Sequence, residues 1–75
     1  MELKKKVNPF TNGVCCVFQK GEKFFYADCS PVPFIGPETM IFPCDEDGNV
    51  TSWTEVYCDR TLKSLDDCVK EFLNE

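Results

Sequence analysis

The sequence predicts an α+β domain: a four-stranded antiparallel sheet built from two β-hairpins, with one C-terminal helix packed on one face (ββββα). Three stretches carry this expectation. Val14 to Cys29 alternates around a glycine turn, Glu38 to Arg60 surrounds an acidic glycine turn, and Ser64 to Leu73 has helical periodicity behind a capping residue.

The first hairpin is read from the β-branched and aromatic run Val14-Cys15-Cys16-Val17-Phe18-Gln19, the turn Lys20-Gly21, and Glu22 to Cys29. A two-residue turn at Lys20-Gly21 sets Cys16 opposite Phe25 and Val14 opposite Ala27. Val14, Cys16, Phe18, Phe25, Ala27 and Cys29 then share one side, and Cys15, Val17, Phe24, Tyr26 and Asp28 share the other. Ser30 to Pro37 holds three prolines and is expected to be an ordered loop or an edge. Within it, Phe34 and Ile35 either fold back on the core or offer an apolar contact to a partner.

The second hairpin turns at Asp45-Glu46-Asp47-Gly48-Asn49, where Gly48 and Asn49 tolerate positive φ. Its register is open, because one residue of loop length decides whether Met40, Phe42 and Cys44 lie with Val50, Val56 and Cys58 or with Trp53 and Tyr57. Ser64 opens the helix with Asp67 three residues on, and Leu65, Cys68, Val69, Phe72 and Leu73 form one apolar stripe. A helix of about three turns covers one face of such a sheet, not two. The other face, with Trp53, Tyr57, Phe24 and Tyr26 as candidates, is where binding is expected. An alternative is that the N-terminal segment, with Val7 and Phe10, and the proline loop wrap over it.

At 75 residues, the chain is expected to be one domain, residues 1–75, with residues 1–12 a separate N-terminal segment partly disordered over 1–6. Residues 1–26 hold five lysines against two acids, whereas residues 27–75 hold eleven acids against three basic residues, for a net charge of −5 overall. An acidic distal part disfavours direct binding to nucleic acid or to anionic lipid and suits a basic partner. No apolar run has the length of a signal peptide or a membrane span, so the expected location is cytoplasmic.

No catalytic motif is legible. Histidine is absent, which removes the commonest general base and nitrogen ligand. The six cysteines, at 15, 16, 29, 44, 58 and 68, include no Cys-x-x-Cys pair. Reduced thiols packed as small hydrophobes are the first reading; a disulfide-stapled secreted domain is the alternative. No cofactor, metal or catalytic residue is expected.

Glu38-Thr39-Met40-Ile41-Phe42, Asp45, Gly48, Asn49-Val50-Thr51, Trp53, Glu55-Val56-Tyr57 and the following helix resemble a group of small proteins encoded by bacteriophages and prophages. The chain departs from that group in having no histidine in its last helix and more cysteine. The resemblance implies a non-enzymatic binding protein acting in a bacterial host as a stoichiometric inhibitor or decoy of an immune factor, the partner being a host protein such as a basic nucleic-acid-binding factor. The expected partner-binding residues are Trp53, Tyr57, Glu55, Phe24, Tyr26, Phe34, Asp45, Glu46 and Asp47. A homodimer through the uncovered sheet face, and an oligomer that sequesters a nucleotide signal, are the other expectations.

Overall fold

The computed structural model describes residues 3–32, 36–61 and 63–75. It contains β1 (Lys6–Val7), β2 (Val14–Lys20), β3 (Lys23–Val32), β4 (Gly36–Cys44), β5 (Tyr57–Asp59) and α1 (Leu65–Leu73). The strands form one antiparallel sheet in the order β1-β2-β3-β4-β5. The α+β class is as expected, but the sheet has five strands rather than four. The added strand comes from the N-terminal segment, where Lys6 pairs with Cys15 and Val7 with Val14.

In the first hairpin, Lys20 pairs with Lys23 and Cys16 with Ala27, so the turn is Gly21-Glu22. Gly21 has φ +64°, as a two-residue turn with glycine in its first position requires. Each residue of β2 therefore meets a partner two positions further along than the sequence suggested. A two-residue shift preserves the facing of every side chain, so the predicted division into two faces holds.

The larger departure is at the prolines. Residues expected to form a loop or an edge instead extend β3 and β4, with Pro31 opposite Pro37 and Val32 opposite Gly36. The backbone geometry explains how prolines fit here. The carbonyls of Ile41 and Pro43 accept bonds from Val56 and Thr51, on the side of β4 that faces away from β3. By the alternation of a strand, the ring nitrogens of Pro37 and Pro43 face that side too. Beyond Thr39, β4 has no β5 residue beside it, and beyond Cys29, β3 has no β2 residue beside it. Pro31 and Pro37 thus lie where each strand has a single neighbour and no missing donor is needed. The expectation for Phe34 and Ile35 lies outside the described residues.

Pro43 also shortens the second hairpin. The acidic turn forms, with Gly48 at φ +87° and Cys44 bridged to Val50. Thr51 then donates its N–H to the Pro43 carbonyl at 3.0 Å, but Pro43 has no N–H to return. The chain leaves the ladder there and rejoins it at Tyr57, opposite Ile41. This register puts Met40 opposite Cys58 and sends Tyr57 to the face shared by Ile41.

Helix α1 begins as expected: the Ser64 hydroxyl accepts the Asp67 N–H at 3.2 Å, and Asp66 and Asp67 occupy the first turn. Leu65, Val69 and Phe72 pack with Cys16, Phe18, Phe25, Ala27 and Ile41 into the core. At the other end of the helix, the Lys20 ammonium donates to the Phe72 carbonyl at 2.8 Å and lies 4.5 Å from the Phe72 ring centre, meeting the negative end of the helix dipole. Among the described residues, no helix is long and apolar enough to cross a membrane.

The acidic turn is held by its own first residue. One Asp45 carboxylate oxygen accepts the N–H groups of Asp47 at 3.0 Å and Asn49 at 2.9 Å. These bonds, the Asn49 N–H first, hold the Asp45 carboxyl below the usual carboxylate range. A depressed folded pKa means the turn is supported above the ordinary value of 3.8 and released as pH falls through the lower folded value. Amide resonances of Asp47 and Asn49 should therefore titrate below that ordinary value; titration at it would show that the carboxylate does not hold the turn.

Candidate binding face

On the side of the sheet away from α1, alternate residues of two paired strands form a floor. Tyr26 pairs with Phe42, Asp28 with Met40 and Ser30 with Glu38, so one end is aromatic and the other acidic. Asn8, Phe10 and Thr11 from the β1–β2 connection wall one side, and Trp53 from the β4–β5 connection walls another, enclosing a cleft of about 340 Å³. A neighbouring cleft of about 430 Å³ shares Asn8, Phe10, Tyr26 and Trp53 and runs on to Cys15 and to Gly48, Asn49 and Val50 beside the acidic turn. Together they make one groove across the helix-free face.

The N-terminal segment only borders this face. Asn8 accepts the Asn12 N–H and donates its own N–H to the Gly13 carbonyl, both at 2.8 Å, closing a tight turn in which Asn12 has φ +58°. A side chain at Gly13 would lie 2.4 Å from the Cys29 carbonyl oxygen, so only glycine lets this turn sit against the end of β3. The turn leaves Phe10 95% exposed, and Trp53 opposite it is 73% exposed, with its ring 5.2 Å from buried Phe42. Phe10 and Trp53 thus present large apolar groups to solvent at the rim of a concave surface.

Asp28 organises the polar end. It is 9% exposed and accepts hydrogen bonds from the Asn8 amide at 2.8 Å, the Tyr26 hydroxyl at 3.3 Å and the Ser30 hydroxyl. Every one of these donors is neutral, so the carboxylate is solvated by the protein without being matched by a cation among the described residues. Glu38, by contrast, pairs with Arg60 at 2.7 Å. Burial foremost, then the Cys15 side chain and the Asp28 carboxylate, push the Tyr26 hydroxyl well above its ordinary pKa and keep it a donor.

The expected binding residues separate on this frame. Tyr26 and Trp53 line the groove. Phe24 is half-buried on the same face but outside the groove lining, opposite Gln19 and Cys44. Glu46, Asp47 and Glu55 are exposed, and Asp45 is exposed yet engaged in its own turn. Phe34 lies outside the described residues. Tyr57 does not belong to the uncovered face: it packs on the helix side, 6.1 Å from the Phe72 ring, with its hydroxyl buried near Cys68 and without a hydrogen-bond partner. The register left open by the sequence accounts for that misplacement.

Asn8, Asp28, Ser30, Met40 and Phe42 were not singled out in the sequence. Strict alternation from Tyr26 does place Asp28 and Ser30 beside it, but their pairing with Met40 and Glu38 depends on the β3–β4 hairpin hidden by the prolines.

The buried thiols offer little reactivity. All six cysteines are free, with Cys15, Cys16, Cys44 and Cys68 buried. Burial pushes the Cys16 thiol up to about 11, aided by Cys15 and Asp66, and burial also raises Cys44 and Cys68. Among the described residues, no three Cys, Asp or Glu side chains gather as a metal site would require. No protein-family model, curated protein or solved structure matches this chain.

Proposed function

We propose that the protein is a non-enzymatic binding protein that engages one protein partner through the groove on its helix-free face and acts stoichiometrically, by occlusion. The observation that carries this reading is the groove itself, bordered by Phe10 and Trp53, both largely exposed, over a floor that includes Tyr26 and Phe42. Aromatic side chains are enriched at protein interfaces and among the few residues that dominate their binding energy. The resemblance of residues 38–73 to phage-encoded proteins supplies the context: a bacterial host, with an immune factor as the partner to be inhibited or decoyed. Asp28 in the floor, unmatched by a cation among the described residues, favours a basic partner over a phosphate-bearing ligand, because a nucleotide would bring its negative charge against that carboxylate.

The test uses the protein as bait in host lysate, beside the double variant Phe10→Ala/Trp53→Ala. Both side chains are exposed and outside the core, so the variant should keep its fold and thermal transition. It should hold the captured protein at least about thirtyfold more weakly, the effect of losing a single hot-spot side chain of ~2 kcal/mol. Equal retention by a folded variant would remove the groove from the interaction.

A further inference from the structure

The groove floor combines features that suit one kind of chemical group. At one end lie the rings of Tyr26, Phe42 and Trp53; one pair further along the strands lies the Asp28 carboxylate, next to Met40. Aromatic rings attract cations through the negative charge of their faces. The carboxylate is buried, and among the described residues its hydrogen bonds come from neutral groups, so its charge is one that a cation would compensate. Its direct strand partners, Cys15 and Met40, are not basic; Lys6 is the next residue in that row, beyond Cys15 at the neighbouring cleft, and Arg60 is engaged with Glu38. Separation along β3 from Tyr26 to Asp28 is two residues, or about 7 Å, which one long side chain spans.

We propose, resting on the binding function above, that this cleft is a receptor for a single arginine side chain of the basic partner, its guanidinium held between the aromatic rings and the Asp28 carboxylate. Arginine suits the site better than lysine for three reasons. Its planar group stacks on aromatic faces, it sheds water more easily than an ammonium, and its fork of donors can reach a carboxylate whose lone pairs are already partly used. Its methylene stem would lie against Met40, which is half-buried in the floor.

The chain has one tryptophan, so Trp53 emission reports on the cleft directly. The probes are a short blocked peptide with a central arginine and the same peptide with citrulline, which keeps the length and planar shape but removes the charge and replaces one donor nitrogen by an acceptor oxygen. The arginine peptide should change Trp53 emission saturably in the millimolar range, with the citrulline peptide at least about tenfold weaker. Asp28→Asn should bring the arginine peptide down to the citrulline level; should that variant unfold, the comparison of the two peptides on the native chain still decides. Identical curves for the two peptides, or no saturable response to either, would overturn the proposal. If that happened while the Phe10→Ala/Trp53→Ala variant still lost the captured protein, the groove would remain the interface and only its arginine preference would fall. A lysine peptide that binds as tightly as the arginine peptide would overturn the preference for a planar cation.

Discussion

Phe72→Ala is expected to remove a large part of the protein's stability, about 3–5 kcal/mol. Phe72 is 6% exposed and sits where sheet and helix meet: its ring lies 4.9 Å from Phe25, 5.9 Å from Phe18 and 6.1 Å from Tyr57, and the Lys20 ammonium sits over it. Truncating a buried phenylalanine costs ~3–5 kcal/mol, from lost transfer energy and from a cavity that the sheet cannot collapse to fill. A domain of this size has roughly 4–11 kcal/mol in total. The transition temperature should therefore fall by at least about 12 °C. Phe72→Leu, which keeps most of the volume, should cost considerably less. A transition within a few degrees of the native one for Phe72→Ala would mean that the helix does not depend on this contact.

Gly13→Ala should have the second-largest effect, and through a different route. The added Cβ would lie 2.4 Å from the Cys29 carbonyl, 2.9 Å from the Ser30 Cα and 2.8 Å from the Ser30 hydroxyl oxygen. Two of those neighbours are backbone atoms of β3, so the clash cannot be relieved by a side-chain rotation. The β1–β2 connection must move out, at a cost of ~1–3 kcal/mol, comparable to overpacking a core. Moving it breaks the Asn8–Asp28 hydrogen bond and withdraws Phe10 from the rim of the groove. The variant should thus lose both thermal stability and partner binding, whereas Phe10→Ala/Trp53→Ala should lose binding alone. A Gly13→Ala protein with native stability and native binding would show that the turn does not rest against β3.

Much of this frame was legible in the residues themselves. The helix, its Ser64 cap and its apolar stripe follow from spacing, because a 3.6-residue period needs no knowledge of the rest of the chain. The two faces of the first hairpin were also legible despite a pairing off by two, since side-chain facing depends only on parity. Three proline-related features were not. Pro31 and Pro37 argue against a strand unless it is known that neither has a second neighbour at that point, and that follows only from the assembled sheet. Pro43 ends the ladder after Thr51, and the loop that results sets Tyr57 on the helix side, contrary to the sequence-based placement. The site was legible in part for the same reason. Tyr26 and Trp53 stand out by residue type, but the Asp28–Met40 and Ser30–Glu38 pairs exist only once β3 and β4 are zipped together.

The two faces of the sheet now have distinct roles. The helix side holds Cys16, Phe18, Phe25, Ala27 and Ile41 against Leu65, Val69 and Phe72, and supplies stability. The helix-free side holds the groove. Oxidative footprinting of the native protein, alone and with the proposed partner bound, compares the two sides directly, because aromatic and sulfur-containing side chains report their own solvent contact. Phe10, Met40 and Trp53 should lose reactivity on complex formation, while Lys70 and Glu71 on the outer surface of α1 remain as accessible to proteolytic and chemical probes as before. Protection confined to the outer surface of α1, with Phe10 and Trp53 as reactive in the complex as in the free protein, would contradict the assignment of binding to the helix-free face.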